Sequence, residues 1–297
     1  MLYNNLSGYL KEKYMGKIGK ICIDGGFSCP NRDGRCGTGG CIFCGERGAG
    51  EHIDPTLTIR EQVEKGLATG GKDGYIAYFQ NFTNTYAPVD ELKKRYDAAL
   101  ISDKIKVLAI GTRPDCINTE VVELLAEYAT RVDVWVELGL QSASDKTAEL
   151  INRGYNSDVY IEAARLLNER KIPFVTHMII GLPGEGEAEV DKTVDLINSS
   201  GSFGVKIHSL YISEGTRLAK LYREGSFTPI TLAQYVSLAS RSIARLSPDV
   251  IVHRLTGDCP KGLLVAPEWI SDKNKVLSEI RSCLERSGHR QGSLYSL

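Results

Sequence analysis

From Gly74 onward, short apolar runs alternate with longer stretches whose hydrophobic residues recur every three or four positions. The runs Gly74–Gln80, Val107–Ile110, Val132–Leu138, Ile172–Ile180 and Val205–His208 read as strands. Between them, Val89–Ile101, Glu120–Ala129, Asp158–Arg170 and Glu187–Asn198 carry the helical period. Ahead of this series, Ile21–Asp24 reads as a strand. Thr58–Thr69, with Ile59, Val63 and Leu67 on one stripe, reads as a helix. Strands that alternate with helices join through right-handed βαβ crossovers into a parallel sheet.

About six such units are too few for a complete eight-fold barrel. They predict an α/β fold, a partial (β/α)6 TIM-like barrel, with a doubly wound sheet as the alternative. Leu232–Leu246 and Ser271–Glu285 read as later helices, Val250–Leu255 as an added strand and Gly288–Leu297 as a polar, frayed tail. Leu6–Lys20 reads as a solvated amphipathic lead-in. The whole is expected to be a single domain, with a core over about 18–210 and a C-terminal strand/helix extension over about 211–297.

In parallel barrels, functional groups gather at the carboxyl ends of the strands. Four such ends carry polar loops here: Phe79–Tyr86 with Gln80, Gly111–Asp115 with Thr112, Gly139–Ser142 with Gln141, and Gly181–Glu185.

The first βα connection is different in kind. Cys29-Pro-Asn-Arg-Asp-Gly-Arg-Cys36-Gly-Thr-Gly-Gly-Cys41-Ile-Phe-Cys44 interleaves cysteine with glycine. Glycine at this density excludes a helix or a regular strand, so the segment is a loop that brings thiols together. Converging thiolates suit a soft metal or an iron–sulfur cluster. A structural zinc site usually shows two C-x2-C knuckles or a spaced histidine pair. This chain has one knuckle, Cys41 and Cys44, and its nearest histidine, His52, has no histidine partner at that spacing. A three-cysteine [4Fe–4S] site with one open iron and a zinc site both stand at this point.

Composition narrows the setting. Hydrophobic residues make up 42%, which is ordinary for a soluble globular protein, and a net charge of −1 gives nucleic acid no global electrostatic attraction. No apolar signal core follows Met1 and no 18-residue apolar run occurs, so a cytoplasmic protein without membrane contact is expected. In that reducing compartment, eight cysteines favour ligands and buried thiols over disulfides.

Cys29, Cys41 and Cys44, with Phe43 before the last, resemble the cluster loop of the radical S-adenosylmethionine (SAM) enzymes. The usual spacing there is C-x3-C-x2-C, whereas this chain has C-x11-C-x2-C. The widened loop, preceded by Asp24-Gly-Gly-Phe-Ser-Cys-Pro-Asn-Arg-Asp-Gly34, resembles the YhcC-like family, relatives of the Elongator catalytic subunit. The likeness runs from about Tyr9 to Trp269. It implies the partial barrel and a [4Fe–4S] cluster held by Cys29, Cys41 and Cys44, with Cys36 as a spare thiol. SAM is the implied second cofactor, contacted by Phe43, Gln141, Arg153 and His177, with Gln80 and Thr112 on the same rim. Arg153 also has its own logic, since a planar guanidinium suits a bidentate carboxylate contact.

Two departures limit what carries over. Gly111 stands where the Elongator-type relative has glutamate, and no acetyltransferase segment is present, so acetyl transfer is not implied. His253-Arg-Leu-Thr-Gly-Asp-Cys259 is typical of the family, and Cys259 either faces substrate or packs. Cys22, Cys116 and Cys283 read as structural. The resemblance implies flavodoxin or ferredoxin as electron donor and the C5 side chain of a tRNA wobble uridine as substrate. A small metabolite and a non-enzymatic metal-binding module are the alternatives. Phosphate contacts are then expected from Lys11, Lys13, Lys17 and Lys20, with Arg32 and Arg35 in the loop. Lys93, Lys94 and Arg95 read as a solvated helix face.

Overall fold

Strands that are apolar on both faces must be covered on both faces, and a computed structural model, describing residues 2–48, 50 and 53–296, shows the two covers. The chain opens with α1 (Leu6–Tyr14) and β1 (Ile18–Asp24). Then come α2 (Ile59–Ala68), β2 (Gly74–Gln80), α3 (Val89–Ala99), β3 (Ile105–Thr112), α4 (Thr119–Ala129) and β4 (Asp133–Gln141). A short α5 (Asp145–Leu150) precedes α6 (Ser157–Glu169), β5 (Phe174–Ile180), α7 (Glu187–Ser199) and β6 (Gly204–Ser209). The remainder holds β7 (Ile212–Ser213), α8 (Arg217–Arg223), α9 (Leu232–Arg245), β8 (Ile251–Arg254), β9 (Leu264–Ala266) and α10 (Lys273–Ser287).

Seven strands pair in parallel in the order β1-β2-β3-β4-β5-β6-β8, a curled half-barrel whose edges are β1 and β8. The expected partial barrel is therefore present, and the added strand extends the same sheet beside β6. The short helices α1, α5 and α8 and the β7–β9 pair escaped the periodicity, being too brief to show one. Long helices start where capping chemistry dictates: Thr58 and Glu61 exchange hydrogen bonds at the head of α2 (2.8 and 3.3 Å).

The outer core lies between the sheet and the surrounding helices, with Leu108, Ile110, Leu125 and Phe174 fully buried. The inner face is closed at its lower end by α1, whose Leu6, Tyr9 and Leu10 pack on Ile76, Val107 and Trp135. Lys13 pairs with Asp133 at 2.8 Å and Tyr14 donates to the same carboxylate. The lead-in is thus an inner plug, not a solvated arm. Asp133 begins β4 and Lys17 immediately precedes β1, so the N-terminal lysines stand at the amino ends of the strands.

The tail also differs from expectation. The Gln291 side chain donates to the carbonyls of Ser247 (2.7 Å) and Val250 (2.6 Å), and its oxygen accepts from the Asn4 amide (2.8 Å). The Asn4 carbonyl in turn accepts from Val252 (2.8 Å), so the two ends of the chain together cover the exposed edge at β8. Polarity here serves backbone pairing. Leu297 lies outside the described residues.

Candidate functional site

The cysteine loop leaves β1 at the carboxyl rim of the sheet. The Cys44 amide donates to the Cys41 carbonyl (3.0 Å), closing a turn that sets the two thiols side by side. A hydrogen bond from the Cys41 thiol, aided by the Arg32 guanidinium, holds the Cys44 thiol below its ordinary range against its burial. Arg32 donates to the carbonyls of Cys44 and Glu46 (3.4 and 3.0 Å) and lies over the Phe82 ring at 5.1 Å. Asn31, 1% exposed, ties the loop to the far wall by donating to the Asn152 carbonyl at 2.6 Å. Gly37 is required beside it, since a Cβ there would lie 2.1 Å from Asn31 Oδ1.

Cys29, Cys41 and Cys44 line a cavity of about 270 Å³. Gln80, Thr112, Gln141, Arg153 and His177 line it too, as does Phe43. All nine residues singled out from sequence are brought together. Cys36 is outside: its exposed thiol rests against Asp115 (3.8 Å) and Arg113 (3.6 Å). His52 lies outside the described residues.

The rim beside the cysteine loop is held by two arginines. Arg153 is fully buried, and its Nη1 donates to the carbonyls of Leu140 and Ser142 (2.6 Å for Ser142). Between those carbonyls, Gln141 takes a left-handed backbone (φ 65°) at a register shift in the β4–β5 pairing. Arg153 and Arg113 both approach the Tyr155 ring, at 4.5 and 4.7 Å, while the Tyr155 hydroxyl donates to the Gly139 carbonyl (2.7 Å). Thr112 shares a 2.6 Å hydroxyl contact with Thr85.

Apart from His177, the floor was not anticipated. Glu137 on β4, 4% exposed, accepts from Lys206 on β6 and from His177 Nε2 (2.5 Å) on β5. Lys206 also donates to the Tyr78 hydroxyl (3.3 Å). Burial opposes the Glu137 charge, but Lys206 and His177 overcome it and hold the carboxyl well below its ordinary range. Burial pulls Lys206 down to about 8 against the attraction of Glu137, so at neutral pH the two form an ion pair. Burial, then Lys206, lowers His177, which stays neutral. Its Nε2 proton is assigned by the bond to Glu137, which leaves Nδ1 as an acceptor. The signal for this floor was a charge inside each of two apolar strands, Val-Trp-Val-Glu137-Leu and Val-Lys206-Ile-His208.

The remaining cysteines and cations fall elsewhere. Cys22 faces the inner core near Lys20 and Lys206, and burial raises its thiol. Burial pushes Cys116 up to about 12, and Cys283 packs on the outer core. Cys259 lies close enough to Tyr211, at the cavity mouth, to act on it electrostatically. Lys93 pairs with Glu127 on a helix face, whereas Arg95, paired with Glu91 (2.9 Å), also donates to the Gly25 carbonyl (2.8 Å) and lies over the Phe27 ring (4.3 Å), so it is not the solvated residue expected.

The wall chemistry fits a three-thiolate cluster with an organic cofactor beside it. Among the described residues no three Cys, His, Asp or Glu side chains converge as they would on a single ion. Instead the three cysteines all line one cavity. Four buried polar atoms of cavity-lining residues have no hydrogen-bond partner: Asn81 Oδ1, Thr83 Oγ1, His208 Nε2 and Arg153 Nη2, the last 3.7 Å from the Asp145 carboxylate. Orphaned groups of this kind call for a ligand.

Comparison with known proteins agrees. Residues 203–286 match the Radical_SAM C-terminal domain. The chain is 39% identical over 298 residues to YtqA of Bacillus subtilis (99% of this chain, 92% of that one). It is 37% identical to YhcC of Escherichia coli (99% and 96%). The tRNA uridine(34) acetyltransferase of Methanocaldococcus infernus is 29% identical over 183 residues, 59% of this chain and 34% of that one. In structure, the M. infernus Elp3 superimposes with TM-score 0.70 at 18% identity, covering 93% of this chain and 64% of that one, a likeness of fold. The Radical SAM superfamily profile matches residues 33–197, which takes in Cys41, Cys44 and the rim from Gln80 to His177 but begins after Cys29. With that match, these relatives and the three cysteines and rim residues lining one cavity, the chain belongs to the radical SAM superfamily.

Proposed function

We propose that this radical SAM enzyme modifies the C5 side chain of a tRNA wobble uridine, in the processing of carboxymethylaminomethyl-uridine. The observation that carries the chemistry is the single cavity shared by Cys29, Cys41, Cys44 and the rim residues. Cys29, Cys41 and Cys44 would hold the [4Fe–4S] cluster, and Phe43, Gln80, Thr112, Gln141, Arg153 and His177 would hold SAM. When bound, the reduced cluster supplies the electron that splits SAM into methionine and a 5′-deoxyadenosyl radical able to take hydrogen from an unactivated carbon. Flavodoxin or ferredoxin would supply that electron.

The protein's own work is to position and to exclude water. Arg153 fixes the turn that presents Gln141. Glu137 fixes the His177 tautomer, so that Nδ1 can accept from a hydroxyl or amine. The ion pair with Lys206 keeps this arrangement neutral and leaves no uncompensated carboxylate beside a reactive carbon.

The tRNA reading is supported by similarity to the tRNA uridine(34) acetyltransferase. The chain covers only 34% of that protein, so its acetyl transfer is not part of the proposal. A small-molecule substrate is favoured by a different observation: Lys11, Lys13 and Lys17 stand at the far end of the strands from the cavity. Anaerobically reconstituted enzyme, a reductant, SAM and tRNAs carrying each wobble intermediate, analysed by nucleoside mass spectrometry, separate the two. Conversion of one wobble nucleoside supports the proposal; 5′-deoxyadenosine without any nucleoside change favours the small molecule.

A further inference from the structure

Ile42, between Cys41 and Phe43, is 2% exposed, so its backbone groups need partners. The C-x2-C turn does not supply them, since its hydrogen bond runs from the Cys44 amide to the Cys41 carbonyl. They come instead from two distant parts of the chain. The Ile42 amide donates to the Ile151 carbonyl (3.0 Å), just past α5. The Ile42 carbonyl accepts from the Leu218 amide (2.8 Å), in the first turn of α8.

The Leu218 donor is available because the first N–H groups of a helix have no acceptor within it. Thr216, the cap of α8, accepts from the Ala219 amide (3.1 Å), which leaves the Leu218 amide to reach outward. Thr216 is itself seated on β7, where its hydroxyl donates to the Ser213 carbonyl (2.7 Å), and β7 pairs with β9. The side chains repeat the arrangement. Ile42, Ile151, Ile179, Leu210 and Leu218 are buried in one apolar cluster, separate from the cores on the two faces of the sheet, and Phe43 packs against it. On the Ile151 side, the next residue, Asn152, is bonded to Asn31 and Gly40 (2.6 and 2.8 Å), so the barrel and the loop hold that half of the turn. The other half is held by a segment that begins only after β6.

We infer that α8 is a clamp on the cluster turn and that Leu218 is a positioning residue for the [4Fe–4S] cluster. Its amide fixes the Ile42 carbonyl and its side chain packs in the cluster that encloses Ile42, so that Cys41 and Cys44 keep one spacing. The inference rests on Cys41 and Cys44 as cluster ligands and is independent of the substrate.

Iron release from anaerobically reconstituted holoenzyme to excess bathophenanthroline disulfonate tests the clamp, alongside urea melts of the same proteins. Leu218→Pro removes the donor in a first helical turn, where proline is tolerated. It should release iron roughly three- to tenfold faster than wild type, the factor for one lost neutral hydrogen bond. It should also change the EPR line shape of the reduced cluster. Leu218→Met, which keeps the donor and nearly the volume, should match wild type in both. Leu284→Ala, fully buried on α10 in the outer core, should be less stable in urea and yet release iron at the wild-type rate with an unchanged spectrum. If Leu218→Pro does not fold, Thr216→Ala, which uncaps α8 and leaves Ile42 and Leu218 in place, carries the same expectation. Iron release that follows urea stability across all variants, or a wild-type spectrum in the uncoupled variant, would make Leu218 an ordinary core residue and overturn the clamp alone. Wild-type protein that takes up no iron would overturn the clamp together with the cluster.

Discussion

Arg153 donates through Nη1 to the carbonyl oxygens of Leu140 and Ser142, the residues on either side of Gln141. That grip holds Gln141 in a left-handed backbone conformation that a side chain other than glycine's adopts at a cost of order 1–3 kcal/mol. The Gln141 side chain lies over Gly139, where an added Cβ would come within 3.1 Å of its Nε2. A strained residue at a strand end, braced by a buried cation, is the observation behind the proposed contact of Gln141 with SAM.

Arg153→Lys keeps the charge but cannot bridge both carbonyls. It should lower stability by about 1–3 kcal/mol, the cost of one unsatisfied buried acceptor, and weaken SAM binding roughly tenfold or more. Gln141→Gly accepts the left-handed backbone freely, so its stability should stay within about 1 kcal/mol of wild type while SAM affinity falls. Denaturant melts and equilibrium dialysis with labelled SAM distinguish the two roles. Unchanged SAM affinity in Gln141→Gly would remove that residue from the site.

Replacing Cys29, Cys41 or Cys44 by Ala should abolish the visible chromophore of reconstituted protein and its roughly four iron per chain. Cys36→Ala should retain both, because that thiol is outside the cavity. Gly37→Ala should reduce iron content although no ligand is touched, since the new methyl displaces Asn31 and with it the tie from the loop to Asn152. Full iron occupancy in Gly37→Ala would show that the loop does not need that tie.

The fold was legible because apolar runs and helical periods alternate cleanly from Gly74 to His208, and tertiary packing follows that pattern apart from the short α5. The cysteine loop was legible because glycine and cysteine leave it few alternatives. The floor was harder: Glu137 and Lys206 each look like an isolated interruption of a strand, and only the sheet register brings them together across β5. The ends of the chain were misread for a related reason. Gln291 and Asn4 are polar, yet their polarity is spent on backbone groups of β8 and its neighbours, and composition cannot distinguish that from solvation.

Acid should destabilise the protein through its buried histidines. His253 lies edge-on to Trp135 and Phe203 (5.5 and 6.0 Å between ring centres) with both nitrogens unpartnered, and burial pulls it down to about 3. His208 and His177 are lowered too. Below the unfolded value near 6.5 the unfolded chain binds protons that the folded chain refuses, so stability falls as pH falls from about 6.5 toward 3. Each histidine contributes at most about 1.4 kcal/mol per pH unit. Glu137 acts in the same direction only below about 4.5, where the unfolded carboxyl begins to protonate. Urea melts from pH 7 to 4.5 should show a steeper decline in wild type than in His253→Phe. Equal slopes would mean that His253 is not held neutral.

If tRNA is the substrate, its phosphates must be met at the cavity rim and not at the amino ends of the strands. The N-terminal lysines are badly placed for that: Lys13 is paired with Asp133 at the start of β4, on the side of the sheet away from the cysteine loop. Arg32 is occupied with the carbonyls of Cys44 and Glu46, so charge reversal there would disturb the loop itself. Arg35 is the exposed candidate within the loop, held against Tyr86 with its guanidinium 5.4 Å from the ring centre, and adjoins Cys36. A cation beside an aromatic ring suits a splayed-out nucleotide, with the phosphate met by charge and a base by stacking. Arg35→Glu should therefore weaken tRNA binding and flatten its salt dependence by about one unit of slope. A variant with Lys11, Lys13 and Lys17 all changed to Glu should bind tRNA nearly as wild type does, with a modest loss of stability from the broken Lys13–Asp133 pair. Both variants should cleave SAM without substrate at the wild-type rate, since neither change reaches the cavity. Filter binding over a series of salt concentrations reads both slopes. A large loss of tRNA affinity in the lysine variant with none in Arg35→Glu would place the RNA on the opposite face and disconnect it from the cavity.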